Sequence, residues 1–147
     1  MFGVDTNILV HAEGFGDEQR AAKAANIVRT LRGSRLVLPV QVLAELYRVL
    51  LRKGGCSPSE ARKRIGLYES VAAPSPTLPS TFQAALDLAA GGHFQIFDAI
   101  ILAASAEAGC RLLLSEDMHD DFIWRGVTVA NPFAEALHPL LVDALNH

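Results

Sequence analysis

Residues 2–10, "FGVDTNILV", set three polar side chains (Asp5, Thr6 and Asn7) between two apolar runs. Phe2 to Val4 read as a short buried strand, which puts Asp5 at that strand's C-terminal end. A buried carboxylate without a partner is costly, so Asp5 needs hydrogen bonds, a cation or a surface position. Open α/β sheets bind ligands at the C-terminal ends of their strands, so Asp5 is either a helix cap or a site residue.

Outward from this stretch, strand and helix signals alternate. Residues 17–32 form an Ala-rich helix closed by Gly33, and "RLVLP" is a strand stopped by Pro39. "VQVLAELYRVLLRKGG" carries a helical stripe at Val42, Leu43, Leu46, Val49 and Leu50 and ends at Gly54 and Gly55. Ser57, Pro58 and Glu60 form a capping box that opens the helix "PSEARKRIGLYESVA". Residues 74–80 are an extended connection, and a helix over 81–90 ends at Gly91 and Gly92. "FDAIILAASAEAG" is a strongly apolar helix closed by Gly109. "RLLLS" and "VTVA" are strands joined by "EDMHDDFIWRG", and Pro132 and Pro139 break up the tail. Strands alternating with helices predict an α/β domain with a mostly parallel sheet.

The bulk numbers agree. The chain has 147 residues, 50% hydrophobic and 20% charged, as expected of a single globular domain spanning 1–147. No apolar run has the length of a membrane span, and the start lacks a signal-peptide pattern, so a cytoplasmic location is expected. Cys56 and Cys110 have no metal-ligand spacing and read as reduced thiols. The net charge of −3 argues against a protein that coats nucleic acid by charge alone. It leaves room for a nuclease whose acidic site recruits cations.

Of the 16 acidic residues, four do not fit a solvated face. Asp5 is one. Glu45 borders the apolar stripe of its helix, where a surface pair with Arg48 is the plain alternative. Asp98 is surrounded by Phe94, Ile96, Phe97, Ile100 and Ile101, with a helix cap as the plain alternative. Asp117 follows "RLLLS" at another strand end, with a solvated loop as its alternative. Four such acids on separate elements suggest one acidic pocket. Hard oxygen ligands suit Mg²⁺ or Mn²⁺, which bind through a few carboxylates plus substrate phosphate. Two carboxylates about 5 Å apart repel by roughly 3 kcal/mol at an effective dielectric of 20, and a cation relieves this. Phosphoryl chemistry is the reaction such a pocket serves.

"VDTNILV", the Glu of "LAELYRVLLR", "FDAIILAAS" and "LLLSEDM" resemble, in order, the four acidic motifs of PIN-domain ribonucleases, and most closely the VapC-type toxins of toxin–antitoxin pairs. The resemblance implies a three-layer, Rossmann-like α/β/α sandwich that cleaves RNA with Mg²⁺ or Mn²⁺. It implies Asp5, Glu45, Asp98 and Asp117 as catalytic metal ligands, supported by Thr6, Asn7 and Ser115. It also implies a homodimer and a cognate antitoxin. "MHDDF" departs from the pattern, which would have a glycine near Asp121, and this leaves the roles of Asp120 and Asp121 open.

Other signals are weaker. Arg48 and Arg52 flank Glu45 on its helix and are candidates to hold RNA phosphates, against simple solvent exposure. His119 reads as a surface residue, and Phe122 and Trp124 as core rather than base-stacking groups. A phosphatase with Asp5 as nucleophile would need a second Asp where Asn7 stands. A catalytically idle PIN-like protein that binds RNA or a partner is the other alternative.

Overall fold

The computed structural model describes the backbone of residues 1–147 and every side chain except that of residue 34. In chain order the elements are β1 (Phe2–Val4), α1 (Thr6–Ala12), α2 (Glu18–Leu31), β2 (Gly33–Pro39), α3 (Val40–Arg52), α4 (Pro58–Val71) and β3 (Ala72–Ser75). There follow α5 (Pro79–Ala90), α6 (Ile96–Glu107), β4 (Leu112–Leu114), β5 (Ile123–Trp124), β6 (Val127–Ala130) and α7 (Pro139–Asn146).

The sheet runs β3-β2-β1-β4-β6-β5, parallel throughout except for β5, which pairs antiparallel with β6. Leu112, Leu113 and Leu114 are each 0% exposed. Successive strand residues point to opposite faces, so this run is buried only if helices cover both. The architecture is therefore the expected α/β/α sandwich. From β1 the chain moves out to β2 and β3, then returns to the other side of β1 for β4 and β6. Parallel crossovers are right-handed, so this reversal sends the helices of the two halves to opposite faces. It opens a crevice at the C-terminal ends of β1 and β4. Asp5 and Ser115 directly follow those two strands.

Helix α6 is buried from Ala99 to Ser105, as its apolar sequence predicts. It passes so close to β1 that a Cβ on Gly3 would lie 2.6 Å from Ser105 Oγ. That hydroxyl donates to Ile101 O at 2.8 Å and has little freedom to retreat. Gly3→Ala is expected to destabilise the fold by about 1–3 kcal/mol through overpacking. Urea unfolding measures it, and an unchanged midpoint would contradict the close approach.

Three elements differ from the sequence reading. Residues 6–12 form a helix, which seven residues are too few to signal by periodicity. Pro139 does not break the tail but occupies the first turn of α7, where its missing N–H is no loss. Residues 116–126 contain β5, which is two residues long. Phe122 and Trp124 pack against the core, as expected.

Candidate active site

Asp5 is both cap and pocket residue. Its side chain accepts from the Thr6 amide, capping α1, at 2.7 Å. Its other oxygen accepts from Ser115 Oγ at 2.7 Å and from Asn7 Nδ2 at 3.1 Å. The residue is only 4% exposed. Burial pushes its pKa up to about 7, the bonds from Ser115 and Thr6 oppose that rise, and the charges of Asp98 and Glu45 add to it.

Glu45, half-buried on α3, accepts from the Thr6 hydroxyl and, at 3.3 Å, from Gln41 Nε2. It faces this site instead of pairing with Arg48: among the described residues Glu45 is in no ion pair. Asp98 is not a cap either. Gln95 caps α6 by accepting from the Phe97 amide at 3.0 Å, and Asp98 is the helix's third residue. Burial raises its pKa first, Gln95 opposes, and the charges of Glu45 and Asp117 add to the rise. Asp117 is exposed and accepts from Asn7 Nδ2 at 3.1 Å.

The structure links Asp5, Glu45 and Asp117 through Thr6 and Asn7, with Asp98 close enough for its charge to act on theirs. Thr6 links Asp5 to Glu45, the amide of Asn7 spans Asp5 and Asp117, and Asp98 feels the charges of Glu45 and Asp117. Ser115 fixes its own turn by accepting from Met118 N at 3.1 Å while it donates to Asp5. Among the described residues no three His, Cys, Asp or Glu side chains stand ready-formed to hold an ion. The donor set nevertheless fits a hard divalent cation. It is made of carboxylate oxygens, and among the described residues none of the four acids is held in an ion pair.

A second group lies beside these acids, and the sequence reading missed it. Glu116, whose amide donates to Asn7 Oδ1 at 3.3 Å, pairs with His11 Nε2 at 2.7 Å and with Arg20 Nε at 3.2 Å. His11 lies one helical turn beyond Asn7, so reading residues 6–12 as a helix would have put both on one face. This arrangement steadies the turn that carries Asp117.

Arg48 and Arg52, both exposed, line a cavity of about 380 Å³ together with Thr6, Glu45, Val49 and Lys53. The open question in "MHDDF" has a structural answer. Asp120 accepts from the Asn131 amide at 2.8 Å, tying the loop to the end of β6. Asp121 adopts a φ of 62°, the left-handed backbone that glycine takes most easily.

A family model described as PIN domain matches residues 3–122. No curated protein matches the sequence. Among solved structures, a toxin–antitoxin complex from Klebsiella pneumoniae is similar with a TM-score of 0.66 at 19% identity, covering 90% of this chain and 98% of that one. VapC20 from Mycobacterium tuberculosis, a toxin that cleaves the sarcin–ricin loop, gives 0.63 at 16% identity over 77% and 87% of the two chains. VapBC2 from Rickettsia felis, bound to a DNA fragment from its promoter, gives 0.58 at 13% identity over 88% and 97%. At these identities the likeness is one of fold.

Proposed function

Since the chain belongs to the PIN-domain family, we propose that it is a metal-dependent endoribonuclease, the toxin of a toxin–antitoxin pair. What supports this reading is that Asp5, Glu45 and Asp117 share a hydrogen-bond network, within reach of the charge of Asp98, at the point where the strand order reverses. Residues 1–147 act as one PIN-like domain in the cytoplasm, as a homodimer, with a cognate antitoxin as the silencing partner. The similar Klebsiella and Rickettsia structures, both toxin–antitoxin assemblies, support that partner. Among the described residues no helix is long and apolar enough to cross a membrane.

In this reading the four carboxylates hold Mg²⁺ or Mn²⁺. The ion supplies Lewis acidity to the scissile phosphate and to an attacking water. The remaining work belongs to the chain. Ser115 and Asn7 aim the Asp5 carboxylate, Asn7 also holds Asp117, and Thr6 turns Glu45 inward. Arg48 and Arg52 grip neighbouring phosphates, since a guanidinium fork matches phosphate oxygens.

The test is the chemistry of the cut ends. Water attacking phosphorus with the 3′-oxygen as leaving group gives a 5′-phosphate and a 3′-hydroxyl, and cleavage stops in excess EDTA. A metal-free ribonuclease would use the RNA's own 2′-hydroxyl with a general base such as histidine. End-labelling of cleaved RNA separates the two routes. Cyclic 2′,3′-phosphate ends formed in EDTA would sink the proposal.

A further inference from the structure

We propose that His93 and His119 form an L-shaped aromatic platform beside the acidic pocket, where an unpaired RNA base stacks on the face of one ring and meets the other edge-on. The proposal rests on the ribonuclease reading and names a part of the substrate surface.

The platform is built by the two segments that deliver Asp98 and Asp117. His93 and Phe94 lead into α6, whose first turn holds Asp98, and His119 and Phe122 follow Asp117. The His93 and His119 ring centroids are 6.3 Å apart, with the rings near perpendicular. Both histidines are exposed. Phe122 backs them, 5.7 Å from His93 and 6.2 Å from His119. Phe122 is itself anchored edge-on at 4.8 Å to Phe94, which is 7% exposed. The outer rings therefore rest on a half-buried aromatic that is itself anchored to the core.

These rings have no other evident employment. The histidine ion pairs among the described residues are those of His11 and His147. Aromatic and imidazole faces stack unpaired bases whatever their sequence, because every base presents a π-face. The position fits a strand crossing the site. Strand order β2-β1-β4 places Glu45, Arg48 and Arg52, on the helix after β2, to one side of Asp5, and His119, after β4, to the other. Phosphates held by the arginines and a base held by the histidines would straddle the acids.

The test uses the intact protein and a labelled, random-sequence, single-stranded 12-nucleotide RNA. Affinity is read by anisotropy in EDTA, and KM and kcat are read in Mn²⁺. His93→Ala and His119→Ala are each expected to weaken binding and raise KM about tenfold, within the range for losing one base stack. kcat and the thermal shift produced by Mn²⁺ stay as in wild type. His119→Phe, which keeps a stacking face, restores the affinity, and binding of a 12-base-pair RNA duplex is unchanged in every variant. Alanine variants within twofold of wild type would overturn the platform, as would a phenylalanine variant as weak as alanine or an equal loss on duplex RNA. Wild type that neither binds nor cleaves RNA would overturn the ribonuclease reading itself. Wild type that cleaves, with alanine variants that cleave equally well, removes the platform alone.

Discussion

Asp98→Asn lowers RNA cleavage by on the order of a hundredfold or more, the scale of losing a preorganised electrostatic element, while the protein keeps its fold. Asparagine has nearly the same shape and sits at the same third position of α6. What it lacks is the charge that a divalent ion would meet. Burial and the charges of Glu45 and Asp117 all disfavour the ionised Asp98 carboxyl in the folded protein. A neutral side chain relieves that strain, so the metal-free variant unfolds at the same temperature as wild type or higher. Loss of activity with no loss of stability is the signature of a site residue, since a packing residue would lose both. Single-turnover cleavage and thermal unfolding in EDTA measure the two sides. Activity within tenfold of wild type, with the same metal requirement, would take Asp98 out of the pocket.

Asp5 contributes less stability to the metal-free protein as pH rises from about 4 to about 7, and Asp98, whose pKa burial also raises, acts in the same direction. The Asp5 pKa stands at about 7 in the fold against 3.8 without it. The folded protein therefore holds this proton more tightly than the unfolded chain does. The contribution is complete below pH 3.8 and is lost as pH rises through about 7. The full difference is about 4 kcal/mol, from a carboxyl that is almost wholly buried. Divalent metal needs the carboxylate, so its affinity rises across the same interval, where proton and ion compete. Urea unfolding in EDTA at a series of pH values, for wild type and Asp5→Asn, isolates the effect, because the variant lacks this titration. Parallel pH profiles would show that Asp5 titrates like an ordinary surface acid. Mn²⁺ calorimetry at pH 6 and pH 8 checks the linked half, and equal affinities would contradict it.

Both predictions depend on a pocket that the sequence disclosed only in pieces. Composition and periodicity determined the α/β class, because helix and strand patterns are local. The apolar run of β4, the stripe of α3 and the Ser57 cap of α4 each lie within a few residues and were legible as such. The four acids were legible as misfits and, by their resemblance to PIN-domain motifs, as a set. Short elements such as α1 and β5 were not, since too few residues repeat to set a period. Tertiary structure alone decided which side chains meet. The bonds from Thr6 to Glu45 and from Asn7 to Asp117 span 39 and 110 positions of the chain. The pair of His11 with Glu116 spans 105. Such contacts exist because β2 and β4 both lie against β1, and no local pattern encodes the order of strands in a sheet. The same holds for Asp121, whose left-handed backbone is imposed by a loop closing onto β6, with its amide on Val129 O at 2.9 Å. Local sequence sets which elements form and which carboxylates are unusual; the direction in which each carboxylate points, and the charge it faces there, is fixed by packing between segments far apart in the chain.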